Sequence, residues 1–440
     1  MSDESGLLVC VGGFDLCPPG WLSLSERDEA DARIRAGDDF PFEDNVVEVM
    51  ACRDAITSMP RQSRIRFLLE CRRVLRPGGL LSLPATGPAG ITDAAIDGNT
   101  DIAMLGLEPV DTVPGAAGRR AALAALDAGG ERGVTREYTK RDRLVVGDPL
   151  VSVVIPAYNP RFFAAALDSA LAQTYANIEI VVCDDSDGGE IEAMARARAA
   201  YREVRYLRNE VRLQPRGNFI KCFERARGEF VKFLCDDDLL APNCVETLLD
   251  TFRRAPGVTL ATSHRQRIDE HGNRLADQPA TMPIVADNTL IAGYTLANMM
   301  VMAGLNVIGE PSTALFRKAD LLDQAPHYFR FNGEYGRAII DMVTWAALLV
   351  KGDAVYLTES LSAFRVHAAQ GQRVPATMQR SIASIRGLQA VWLDLGLFEK
   401  VPPHLVLAKP YPAPAGADWQ LQPVCSPFAV RRAGSLRNFV

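Results

Sequence analysis

The chain has 440 residues, 48% of them hydrophobic and 23% charged, and a formal net charge of −6. That length has room for two domains with substantial cores, while the acidic balance argues against an electrostatic grip on nucleic acid. Nine cysteines in odd number and without a CxxC pair read as reduced packing residues, not as a disulfide framework or zinc site. The amino terminus, MSDESGLLVCVGG, lacks the positive region of a signal peptide, so a cytoplasmic enzyme is expected.

In chain order, the first informative stretch is DDFPFEDNVVEVMACRDAITSMP, followed by RIRFLLECRRVLRPGGLLSL from Arg64 to Leu83. This acidic strand, helix and second strand resemble the later half of a class I methyltransferase domain. The resemblance implies S-adenosylmethionine binding only where a glycine-rich first turn lets backbone approach the cofactor. Here that place reads VCVGGF, with only Gly12 and Gly13, and no ribose-binding acid lies at the expected distance. Residues 1–90 are therefore read as a partial, degenerate methyltransferase-like α/β domain. Residues 91–148, rich in Ala, Gly and Pro and then in charge, read as a linker, partly helical over Ala116–Ala128, with Arg132–Arg143 a polar approach to the next domain.

From Pro149 the pattern changes. PLVSVVIPAYN is an apolar, β-branched strand ending in a polar loop, and Ile178–Cys183 is a second such strand, ending in Asp184, Asp185, Ser186 and Asp187. Between them Phe162, Phe163, Leu167 and Leu171 recur at helical spacing over Arg161–Thr174. This is a βαβ unit, and open α/β sheets bind ligands beyond the carboxyl ends of their strands. After a third short strand, VRYL, come Arg208 and Asn209, then FVKFLCDDDLLAP from Phe230 to Pro242. Its three consecutive carboxylates, Asp236, Asp237 and Asp238, repel one another beside an apolar wall. A divalent cation such as Mn²⁺ or Mg²⁺, which also bridges phosphates, would compensate them; a solvated Asp-rich turn is the alternative.

Asn288–Gly309 carries no charge, yet its Asn298, Asn306 and three glycines point to a buried or acceptor-lining helix and not to a transmembrane segment. Beyond about residue 371, Arg380–Leu397 reads as one amphipathic helix. Pro402–Val440 reads as a tail whose Arg431, Arg432 and Arg437 are solvated.

VSVVIPAYN, LAQTY, IEIVVCDDSD, ARGEFVKFLCDDDLLAP, IGEPSTALFRKADL and DMVTWAALLVKGDAVYLTESLSAFRVHAAQ together resemble the inverting family 2 glycosyltransferases of GT-A fold, over roughly residues 149–370. The resemblance implies a Rossmann-like mixed sheet flanked by helices and a nucleotide-diphosphate sugar donor. It also implies a glycan, lipid-linked or protein acceptor, in bacterial surface-polysaccharide or glycoconjugate synthesis, with peripheral membrane association left open. By position, Asp236 meets the donor ribose and Asp237 the metal, with Asp238 also a candidate ligand because Cys235 stands where the family has an acid. Asp185 meets the pyrimidine ring beside Asp184, Tyr158 faces the base, and Pro156 and Asn159 shape that loop. His367 lies near the diphosphate or metal. Asp341 is the expected general base, with Trp345 lining the acceptor side and Glu310 the competing acid. Two other functions stay open: a methyltransferase, alone or fused to the transferase, and an inactive nucleotide-sugar-binding module.

Overall fold

The computed structural model describes residues 145–198, 204–336, 338–368, 370, 375–397, 404–414 and 416–424. In the amino-terminal part it describes the elements named below and short stretches beside them. Two compact units emerge: Met1–Arg143 with Trp392–Phe398, and Leu144–Val391 with Glu399–Val440. Gly12, Gly13, the expected Ala116–Ala128 helix and the tail arginines lie outside the described residues.

The first unit contains β1 (Leu7–Val11), β2 (Leu22–Ser25), β3 (Ala32–Arg33), β4 (Val47–Cys52), β5 (Leu75–Pro84), β6 (Leu107–Pro109) and β7 (Thr135–Lys140). They form one sheet in the order β3-β2-β1-β4-β5-β7-β6. The first five are parallel, and β7 runs antiparallel to both β5 and β6. The helix Arg61–Val74 buries Ile65, Leu68, Cys71 and Val74, one apolar stripe at helical spacing. Two sequence expectations change here. The sheet does not stop near residue 90, and Thr135–Lys140 is a strand, not an approach segment. TREYTK is polar and offers no apolar run to a sequence reading, but the segment pairs residue for residue with Leu80–Pro84.

The second unit begins with β8 (Val151–Ala157), β9 (Ile178–Asp184), β10 (Val204–Arg208), β11 (Phe230–Phe233), β12 (Leu239–Leu240), β13 (Val258–Ile268) and β14 (Arg274–Leu275). It continues with β15 (Thr289–Ile291), β16 (Leu315–Arg317), β17 (Asp353–Arg365), β18 (Leu405–Pro410) and β19 (Gln420–Pro423). The main path is β10-β9-β8-β11-β16-β13-β17-β15-β18-β19. β10, β9, β8 and β11 are parallel, and β16 is antiparallel to β11 and β13. Every residue of β8 and of β9 is buried, which is why both read as continuous apolar runs. The switch in strand order at β8 places the carboxyl ends of β8, β9 and β11 around one crevice.

Asn159 caps the helix Pro160–Leu171, its Oδ1 accepting from Arg161 N at 3.0 Å, and the helix buries Phe163, Ala166, Leu167 and Ala170 against the sheet. The uncharged stretch after Asn288 divides into β15 and the buried helix Gly293–Ala303, and among the described residues no helix is long and apolar enough to cross a membrane. Past residue 402 the chain is not a tail throughout. β18 pairs with β15, and β19 with β18, because Val406 and Ala408 alternate inward from the ladder.

Candidate active site

At the ends of β8 and β9 the two adjacent acids take different roles. Asp184 is fully buried. It accepts from Tyr206 Oη at 2.6 Å and from Ser186 N at 2.8 Å, so it closes its own turn. Asp185 Oδ1 accepts from Asn209 Nδ2 (2.6 Å) and Leu213 N (2.8 Å), and Oδ2 from Gln214 N (2.9 Å). A carboxylate offers about four lone-pair sites, so one remains for a ring N–H of a base. Gln214 holds a left-handed φ of 63°, costly for a residue with a Cβ, and its amide reaches Asp185 from there. Tyr158 is 47% exposed, with the Arg212 guanidinium 4.4 Å from its ring centroid. Pro156 is buried inside β8 opposite Cys183 and acts on the loop only through the backbone. Arg208 is turned onto the β9 loop, donating to Gly188 O at 2.6 Å and to Ser186 O at 3.2 Å.

The three aspartates after β11 point to three different partners. Asp236 Oδ2 accepts from the backbone of both Tyr158 (2.6 Å) and Asn159 (2.7 Å), tying the β8 loop to this turn and leaving Oδ1 for a ligand. Burial, and then the neighbouring Asp237 charge, push its carboxyl up to about 6. Asp237 Oδ2 lies 3.0 Å from His367 Nε2, and its side chain keeps 22% of its surface. Asp238 is turned inward and 1% exposed, one oxygen accepting from Ser312 Oγ (2.6 Å) and the other from Arg365 N (3.1 Å). Burial drives its carboxyl well above the ordinary 3.8, with Asp237 adding to the effect.

This arrangement decides which groups suit a cation. Cys235 Sγ and one oxygen each of Asp237 and Asp238 come within 4.8 Å of one another. Burial pushes the Cys235 thiol well above its ordinary value, and a soft sulfur is a poor match for a hard ion. Asp238, bonded on both oxygens, also braces the turn, while one of its oxygens stays within reach of the Asp237 carboxylate. Asp237 and His367 remain. His367 is 4% exposed, and its Nδ1 has no hydrogen-bond partner among the described residues. One carboxylate with one imidazole favours a transition metal such as Mn²⁺ over Mg²⁺.

Arg365, which the sequence did not single out, organises this side. Its Nε donates to Asp237 O at 2.8 Å, its Nη1 to Asp269 O at 3.1 Å, and its guanidinium lies 4.7 Å from the Phe162 ring centroid. Ser312 was also missed. It receives Cys235 N at 2.9 Å, while its carbonyl accepts from the fully buried Lys232 Nζ at 2.5 Å. Only the unusual placement of a lysine inside the apolar run FVKFL signalled such a network.

On the other side of the crevice Asp341 opens the helix Ile340–Leu349. Its walls are Phe219, Phe233, Pro311, Phe329, Thr344 and Trp345. Its Oδ1 accepts from Met342 N at 2.8 Å and its Oδ2 from Asn306 Nδ2 at 2.7 Å, with no cation bonded to it among the described residues. Burial raises its carboxyl to about 6, which suits a base working near neutrality. Glu310 differs: Arg265 Nε lies 2.6 Å from its Oε2, so its charge is already neutralised. Trp345 is buried one turn after Asp341 and donates from Nε1 to Gly309 O at 3.0 Å.

Comparison with known proteins agrees with the division into two units. Residues 152–323 match the family model described as glycosyl transferase family 2, and residues 11–83 match a methyltransferase domain. An uncharacterized protein of Mycobacterium tuberculosis is 31% identical over 262 residues, spanning 56% of this chain and 76% of that one. An uncharacterized glycosyltransferase of Rickettsia bellii is 34% identical over 141 residues, spanning 31% of this chain but only 20% of its own length. Among solved structures, that of Staphylococcus aureus TarS 1-349 in complex with UDP aligns at 17% identity and a TM-score of 0.42, over 57% of this chain and 70% of that one.

Proposed function

The chain belongs to glycosyltransferase family 2, and on that premise we propose that it moves a sugar from a nucleotide diphosphate to an acceptor hydroxyl with inversion at the anomeric carbon. The observation that carries this reading is the turn at Asp236–Asp238. One oxygen of Asp236 binds the two amides of the β8 loop, while Asp237 faces outward beside His367. Nucleoside recognition and cation binding thereby meet in one rigid turn.

In this reading Asp185 and Tyr158 receive the base, and the free oxygen of Asp236 receives the ribose. Asp237 and His367 would hold the cation, which supplies charge neutralisation for the leaving diphosphate. Asp341 takes the proton of the acceptor hydroxyl on the face opposite the leaving group. Its pocket favours this because, among the described residues, no cation is bonded to it and apolar walls weaken its solvation. Glu310, held by Arg265, is placed to accept a hydrogen bond from the acceptor. Location in the cytoplasm and a role in surface-glycan synthesis belong to the same proposal.

The test is a thermal-shift panel of UDP-, GDP- and dTDP-sugars, with and without Mn²⁺. Metal-dependent stabilisation by one nucleotide class supports the reading, and indifference to every donor opposes it.

A further inference from the structure

The loop between the helix Gly293–Ala303 and Glu310 is fastened to the Asp341 helix by one side chain. Asn306 Nδ2 donates to Gly309 O (2.9 Å) and to Asp341 Oδ2 (2.7 Å), while its Oδ1 accepts from Gly309 N (3.0 Å). The carboxamide cannot be turned over. In the reverse orientation its oxygen would face two other oxygens, and its NH₂ would face an N–H. Gly309 O accepts a second time, from Trp345 Nε1 at 3.0 Å, so the loop is bonded to the helix at Asp341 and again one turn later. Gly309 itself has a φ of 118°, and a Cβ there would stand 2.7 Å from Thr313 Cγ2 and 3.1 Å from Arg265 Cδ. The clip therefore has one geometry, and nothing in the folding of the loop explains why its second N–H should be spent on a carboxylate.

We infer that Asn306 is a positioning residue for the Asp341 base: it fixes the orientation of the carboxylate and leaves the outer lone pairs of Oδ1 and Oδ2 for the acceptor proton. This rests on the reading of Asp341 as the base. A carboxylate held by one oxygen can still swing about its Cβ–Cγ bond, whose torsion is broad, and Met342 N holds only Oδ1. The Asn306 N–H also favours the charged form against the burial that opposes it. Among the described residues, the titratable groups facing Asp341 are few. Glu310 raises it further, but Arg265 is paired with Glu310, and the remaining walls, Phe219, Phe233, Phe329, Thr344 and Trp345, carry no titratable group.

Two variants and two readouts test this. In Asn306→Ala the donor to Asp341 is lost; Asn306→Asp keeps the acceptor for Gly309 N and so covers the case in which the alanine variant does not fold. Carboxyl ¹³C NMR of the full chain, with Asp341 assigned through Asp341→Asn, reads the base directly. The Asp341 titration should move up by about one pH unit in Asn306→Ala, and further in Asn306→Asp. In the transfer assay the acid limb of kcat should move up with it, kcat at the plateau should fall by about tenfold, and the donor KM should stay put. An unmoved Asp341 titration, with only Tm lowered, would overturn the inference and leave Asn306 a loop staple. The titration shift present in the Asn306 variants, together with a wild-type chain that transfers no sugar, would instead overturn the assignment of function.

Discussion

Replacing Asp341 by Asn separates the chemistry of this crevice from its stability. Its carboxyl is raised from the ordinary 3.8 to about 6, so the folded protein holds a proton there that the unfolded chain has released between those values. Stability from this group is therefore full below about pH 4 and is lost as pH rises through 6, a cost of about 3 kcal/mol at neutral pH. The Asp341→Asn variant would not carry that cost. Its carboxamide offers one oxygen where two donors, Asn306 Nδ2 and Met342 N, now bind, and an unmet donor returns about 1–3 kcal/mol. The two terms nearly cancel near pH 7.5. The variant should unfold within about 2 kcal/mol of wild type there and be the less stable of the two at pH 4. Its kcat should fall by roughly 10²–10⁴-fold, the usual contribution of a general base, with donor affinity unchanged. Chemical denaturation at both pH values and initial-rate kinetics read these outcomes. Near-normal kcat, or loss of donor affinity, would refute the reasoning and move the base to Glu310.

Further outcomes follow from the other carboxylates and from the first unit. Asp237→Asn should abolish both transfer and the Mn²⁺-dependent thermal shift while the fold survives; retained turnover would remove Asp237 from the cation site. Asp238→Ala should cost about 2–4 kcal/mol, since it strands Ser312 Oγ and the buried Arg365 N, whereas Asp237→Ala should cost much less; equal values in urea unfolding would return Asp238 to the ligand set. The full chain should show no saturable S-adenosylmethionine binding by calorimetry at millimolar concentration, because VCVGGF lacks the glycine cradle; a binding isotherm would make the first unit a working cofactor domain.

What the sequence displayed and what it hid follow from how each feature is encoded. β8, β9 and the β11 turn are buried on both faces, so hydrophobicity alone marks them and their trailing polar residues. Asp237, His367 and Asp341 stood out as candidates because they lie inside ordered motifs. The separate fates of Asp184 and Asp185, or of Asp237 and Asp238, were not legible. Adjacent residues on an extended turn point to opposite sides, and only the partners on β10, β17 and the Ser312 loop decide which carboxylate is consumed. Arg365, Ser312 and Asn306 act on the aspartates or their turns from positions distant in sequence, which no spacing encodes. β7, β18 and β19 were missed because short, partly polar strands at a sheet margin lack a continuous apolar run.

The stereochemistry of transfer tests the central claim most directly. With the donor class identified by the thermal-shift panel, ¹H NMR of the product made by the full chain reads the configuration of the new glycosidic bond. A single base at Asp341, facing a leaving group held at Asp237, predicts one displacement and an inverted anomeric centre. A retained configuration would require a nucleophile on the opposite face and would contradict the assignment of Asp341.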